Sequence, residues 1–324
     1  MNTYHKYPYI ILRKHLSSAI AVAMFLGMLF GNNSKVQAQE EIDFGQYMLF
    51  HPTVNIASAG SYYDPTLAIY GRKQWASIEG SPATLGAHFL YPLKQNTIGG
   101  TIAQESMGVH SRQTILPYFT HKINVAQKKQ IAFGLGLGAE IIKSNYTDIF
   151  THNSNDASFD ENKTAVGALI GFGAYYFAEN YYAGFSIPSI VHNEIDYNNS
   201  EMANNSDFGP QYWHYYFMGG YELFVNQITT LNFSSLVKLT SNTKAEVDIN
   251  AQVMLLDQLG VGLSYRTKKE LLFLINYNFN NFIKAGYCYH NYFGIEGQAL
   301  SGQELILVIR LSKPKMATIQ TPRF

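Results

Sequence analysis

The feature that most constrains this 324-residue chain is a strict two-residue alternation between Thr243 and Asn280. Val247, Ile249, Ala251, Val253 and Leu255 alternate with Glu246, Asp248, Asn250 and Gln252. Leu259, Val261, Leu263 and Tyr265 alternate with Gly260, Gly262, Ser264 and Arg266. Leu271, Phe273, Ile275, Tyr277 and Phe279 keep the same phase, with Asn276, Asn278 and Asn280 between and after them. Successive side chains of a strand point to opposite faces, so each run has one greasy face and one wet face. The runs approach roughly ten residues, the length at which a tilted strand crosses a bilayer. Three in succession, joined by tight turns, predict an apolar face against lipid and a polar face lining a lumen.

The start of the chain predicts export. Lys6, Arg13 and Lys14 form a positive n-region, Ala19 to Phe30 an apolar core, and Val36-Gln37-Ala38 a small-x-small cleavage site. Residues 1–38 therefore read as a signal peptide, with the mature start at Gln39. The competing reading, an uncleaved anchor, asks for a longer apolar run than is present. No other stretch is apolar enough for a spanning helix, but a closed barrel needs none.

Removing Lys6, Arg13, Lys14 and Lys35 lowers Lys plus Arg from 23 to 19, while Asp plus Glu stays at 23. A mature chain of about −4 without a basic patch is no nucleic-acid binder. Charged residues are 14 % and aromatics 15 %, with 24 Tyr and 21 Phe. Such a balance suits a barrel with aromatic girdles at the lipid interfaces. Cys288 is the single cysteine, so no internal disulfide exists. It lies in phase with Lys284 and His290 on the inferred lumen face and reads as a structural bystander. The length would permit two domains, yet no linker divides the mature chain.

About fourteen strands are expected, near 63–71, 82–92, 97–105, 112–124, 130–143, 164–177, 180–189, 212–225, 228–240, 244–256, 258–267, 270–279, 282–290 and 304–312. With the N-terminus periplasmic, the three longest connections, near 144–163, 190–211 and 291–303, all fall on the outer side. The opposite turns, such as Asp257-Gln258 and Asn280-Asn281, are short, which is the asymmetry of outer-membrane barrels. The expected fold is all-β: a transmembrane antiparallel up-and-down barrel of about 14 strands with an irregular N-terminal segment. The expected division is a signal peptide at 1–38, a periplasmic or plug segment at 39–62, the barrel at 63–313 and a periplasmic tail at 314–324.

Motifs of catalysis are weak. Gly134-Leu135-Gly136-Leu137-Gly138 superficially resembles a phosphate loop, but its period is two and no helix follows, so lumen-face glycines are the better reading. His88, His121 and His214 fall in strands, and His110, His152 and His192 in or beside loops. No pair shows metal-ligand spacing with a supporting acid, so no metal site is expected. Asp156, Asp160 and Glu161 read as a solvated acidic loop rather than a calcium site. No Ser or His stands out as a nucleophile with its base, and neither an enzyme nor a cofactor is expected.

Residues 44–93 carry a more specific pattern. Gln46-Tyr47-Met48 is followed by Pro52, Asn55 and Ala59-Gly60. Tyr70-x-Arg72-x-Gln74-Trp75 and Gly80-x-Pro82-x-Thr84 come next. This resembles the N-terminal signature of the PorP/SprF family, outer-membrane proteins of the type IX secretion system. Gly184-x-Ser186 and Gly302-Gln303-Glu304-Leu305 extend the resemblance weakly downstream. The segment is divergent: His51 stands where the family has Asn, and Asn55-Ile56-Ala57-Ser58 where it has Asn-Pro-Ala-Tyr.

The resemblance implies a non-catalytic barrel beside the secretion translocon. It would support export and surface attachment of large proteins through their C-terminal domain, including gliding adhesins in motile members. Implied partners are translocon components, the secreted protein, periplasmic machine components and membrane lipid. Gln46, Tyr47, Met48, Pro52, Asn55, Gly60, Arg72, Gln74, Trp75, Gly80 and Pro82 form the candidate docking set. The bland reading is that Trp75 anchors at the interface, Arg72 is a rim charge, and Gly80 and Pro82 shape a turn. The rival function is a channel for small hydrophobic or polar solutes, with the N-terminal segment as its plug.

Overall fold

The computed structural model describes residues 44–148, 161–194, 205–207, 209–240, 244–293 and 300–311. The expected signal peptide, the tail after Leu311, and the acidic residues Asp156 and Asp160 lie outside them.

Fourteen antiparallel strands close into one barrel. They are β1 (Thr66–Lys73), β2 (Ala83–Leu93), β3 (Asn96–Met107), β4 (His110–Ala126), β5 (Lys129–Ser144), β6 (Lys163–Phe177) and β7 (Tyr181–Ile187). The circuit continues with β8 (His214–Phe224), β9 (Thr229–Thr240), β10 (Glu246–Leu255), β11 (Leu259–Arg266), β12 (Glu270–Asn278), β13 (Ile283–Tyr292) and β14 (Leu300–Arg310). Each strand pairs with its sequence neighbours, and β1 closes on β14 from Thr66↔Arg310 to Lys73↔Gln303. Closure leaves no unpaired edge strand, which a lipid-embedded sheet requires. A separate two-stranded ribbon, His192–Glu194 with Asn205–Asp207, stands in the β7–β8 connection.

The alternation works as expected. On β10, Ile249, Ala251 and Val253 face outward while Asp248, Asn250 and Gln252 are buried inside. Leu263 on β11 and Phe273 and Ile275 on β12 continue the apolar outer band. The connections separate by end. At one end none exceeds four residues; at the other lie 74–82, 145–162, 188–213, 241–245 and 293–299, with two tight turns among them. In the three-residue turn after β10, Leu256 and Asp257 both take positive φ, and Gln258 N donates to Leu255 O at 2.9 Å.

Several boundaries shift by two to four residues, three of them for evident local reasons. The first strand begins at Thr66 rather than 63, because Pro65 lacks the N–H a ladder needs. The eighth begins after a 3-10 turn at Pro210–Tyr212. The last begins at Leu300, not Glu304, because Leu300 pairs with Tyr292 and shortens the preceding loop.

A filled lumen and the rim loop as the candidate functional site

Residues 44–61 form no strand and lie inside the barrel. They make three 3-10 turns, Tyr47–Leu49, His51–Thr53 and Ile56–Ser61. Pro52 and the run of small residues disfavour a longer helix. The short turns satisfy backbone groups locally: Leu49 N donates to Gln46 O at 2.9 Å and Val54 N to His51 O at 3.0 Å.

Apolar side chains of this segment complete two cores with the lumen wall. Phe44, Leu49, Phe50 and Ile56 pack with wall residues such as Tyr70, Leu90 and Ile306. Tyr47, Met48 and Val54 pack with others such as Tyr175, Leu236 and Leu272. Leu90, Leu236 and Leu272 occupy positions where a water-filled lumen would place polar groups. Each large apolar side chain so buried contributes on the order of 1.5–3 kcal/mol, so the segment is held firmly. A cavity of about 10 Å³ beside Met48 and Asn250 leaves space for little more than a water.

The lumen-face glycines make the groove in which this segment sits. A Cβ on Gly134 would lie 2.8 Å from Ala57 N, and one on Gly184 2.8 Å from Asn55 Nδ2. Gly286 does the same for Gln46 and Leu49. The glycine run on β5 is thus a groove for backbone, not for phosphate.

The signature residues divide between two places. Asn55 clamps the segment to β6 and β7: its Nδ2 donates to Ala174 O at 3.1 Å and Phe185 O at 3.3 Å, while its Oδ1 accepts from Ala57 N at 3.0 Å. Gln46 Nε2 donates to Glu304 O at 3.3 Å, Gly45 N donates to the Glu304 carboxylate at 2.6 Å, and Met48 Sδ meets Asn250 Nδ2 at 3.8 Å. Tyr47 and Pro52 are buried, and Gly60 fits against Ala132 and Thr120. His51 is buried in a ring cluster, with Nδ1 3.0 Å from the Tyr175 hydroxyl and its ring centred 4.4 Å from that of Tyr182. Burial, helped by the Lys284 ammonium, pushes its pKa down to about 3.

Arg72, Gln74, Trp75, Gly80 and Pro82 sit at the long-loop end. Gln74 N donates to Pro82 O at 2.9 Å, which closes the 74–82 loop. Ala76 N donates to Ser301 O and Gly108 N to Gly80 O, tying the loop to its neighbours on both sides. Trp75 and Gly80 take φ of 43° and 70°. Arg72 Nη2 reaches the Tyr292 hydroxyl at 3.3 Å, and the Trp75 ring meets that of Tyr292 edge-on. The two halves of the signature thus occupy different environments, one inside the lumen and one at its rim.

Alternation placed Glu246, Asp248 and Arg266 on the lumen face; the structure joins them in an ionic wall over β9–β14. Arg266 is fully buried; its Nε and Nη2 each lie 2.9 Å from an Asp248 oxygen, and its Nη1 lies 2.7 Å from Glu270. Lys238 and Lys268 hold Glu246 beside it. His290 Nδ1 bonds Glu270, and Cys288, His290 and Glu304 converge within 4.8 Å. Linear spacing suggested no metal-ligating set; strand pairing brings Cys288 and Glu304 face to face.

Several solved outer-membrane barrels are similar to this chain at low identity. The Ralstonia pickettii toluene transporter TbuX has 8 % identity and a TM-score of 0.48, with 80 % of this chain and 93 % of that chain covered. A Pseudomonas aeruginosa FadL homologue has 10 % identity and a TM-score of 0.45, covering 78 % and 91 %. Acinetobacter baumannii Omp33 has 8 % identity and a TM-score of 0.44, covering 76 % and 99 %. No curated protein matches significantly in sequence. The model of the family described as type IX secretion system membrane protein PorP/SprF matches residues 36–299. This outer-membrane barrel therefore belongs to the PorP/SprF family of type IX secretion system membrane proteins.

Proposed function

We propose that the chain is a non-enzymatic partner in type IX secretion. It docks the machinery and a large exported protein at its rim and keeps its lumen closed. Residues 1–38 direct export and are removed, and the long-loop end faces the cell exterior. The rim loop from Arg72 to Pro82 is the docking element. Gln46, Tyr47, Met48, Pro52, Asn55 and Gly60 act from within, by fixing the closed state on which the rim is built.

One observation carries this reading: the lumen is filled by residues 44–61, on glycines that leave their backbone no slack. A wall that includes Leu90, Leu236 and Leu272 is suited to packing rather than to conducting water. The surfaces left for a partner are the loops and the rim.

The test is an affinity pull-down from solubilised outer membranes, with a tag on the C-terminal tail and mass spectrometry of the co-purifying proteins. Recovery of translocon components, or of a large secreted protein through its C-terminal domain, is expected. A clean barrel that shows solute-dependent conductance in a planar bilayer would replace this reading with that of a channel.

A further inference from the structure

The lumen wall carries a second chemistry beneath Gly45. Cys288 and His290 lie two residues apart on β13, on the face that points inward. Glu304 stands opposite Cys288 in the β13–β14 register. All three are buried, at 0 %, 0 % and 1 % exposure. A thiol sulfur, an imidazole nitrogen and a carboxylate oxygen therefore meet within 4.8 Å.

The orientation of the imidazole is specific. Nδ1 is committed to Glu270, which leaves Nε2 turned towards Glu304 Oε2 at 3.4 Å. That distance is long for a charge-assisted hydrogen bond, usually about 2.7–2.9 Å. It is close to the ~3.3 Å edge between two ligands held about 2.05 Å from a tetrahedral zinc. A carboxylate behind the second ring nitrogen is the outer partner that fixes the tautomer of a metal-binding histidine. Gly45 N lies nearer Glu304 Oε1, at 2.6 Å, than Oε2, at 3.0 Å, so Oε2 can serve a cation while Oε1 keeps its bond.

We propose that Cys288 Sγ, His290 Nε2 and Glu304 Oε2 bind a divalent cation of the zinc type. The mixed sulfur, nitrogen and oxygen set suits zinc and does not suit calcium or magnesium, which take oxygen ligands. Binding takes the thiolate and the neutral imidazole, so the thiol proton and any proton on Nε2 are released to solvent. Glu304 would then join the cation to Gly45, near the start of the luminal segment.

The test uses the full chain, purified from outer membranes in mild detergent without chelator. Elemental analysis is expected to find about one zinc per chain. Exchange with cobalt should produce a thiolate-to-cobalt charge-transfer band. Cys288→Ser, a one-atom change, should abolish that band, and His290→Gln should lower zinc content at least tenfold. Heat-modifiable gel mobility checks that each barrel is folded, and Cys288→Ser decides the matter where His290→Gln does not assemble. A folded parent barrel without zinc and without the cobalt band would overturn the site, leaving an imidazolium between Glu270 and Glu304. Equal zinc content in parent and both variants would overturn it too.

Discussion

The side-chain oxygen of Asn55 lies 2.2 Å from where a Cβ on Gly173 would stand. No real atom tolerates that distance, so the glycine and the clamp residue are specified together. Gly173→Val is expected to unseat the luminal segment while the barrel still assembles. Protease cleavage between Phe44 and Tyr62 in purified protein should rise sharply, with heat-modifiable mobility retained.

Asn55→Ala tests the clamp from its other side. It removes two bonds to strand carbonyls and one from Ala57 N. The expected cost is about 2 kcal/mol to the seated state. Hydrogen exchange of residues 44–61 would measure it, and unchanged protection would refute the clamp.

Ile249 and Asn250 are sequence neighbours on opposite faces. Ile249→Arg should impair membrane assembly by roughly 2–4 kcal/mol near the midplane. Asn250→Arg should assemble better, but its side chain would displace Met48, so bilayer conductance should rise. Equal assembly yields for the two would contradict the facing of β10.

Arg266→Met removes the cation shared by Asp248 and Glu270. Because the carboxylates stay buried, the loss should be about 3–5 kcal/mol, read as a lower denaturant midpoint. Lys128→Met, at an exposed pair with Glu179, should change little.

His51 supplies a pH dependence. Seated, it is neutral, with its pKa down at about 3. Released into water it would titrate near about 6.5. The seated state's advantage is therefore complete above about pH 6.5. It shrinks by about 1.4 kcal/mol per unit as pH falls towards the seated value. Conductance should rise on acidification, and His51→Gln should flatten that rise.

Alternation pointed to a membrane barrel of about fourteen strands and to which residues face out, because the period of a strand is a local property; the closure of β1 on β14 came from the structure. The same period placed Ile249 against lipid and Asp248, Asn250 and Arg266 inside. It also read Gly134 and Gly136 as lumen-face positions, without showing what they make room for. The location of residues 44–61 was decided only by tertiary structure. Their pattern is irregular, and their seat is built from glycines and carbonyls on strands distant in sequence. The meeting of Cys288 with Glu304 is likewise a matter of register between β13 and β14. Side chains at cross-strand positions become neighbours through pairing, and spacing along the chain does not record it.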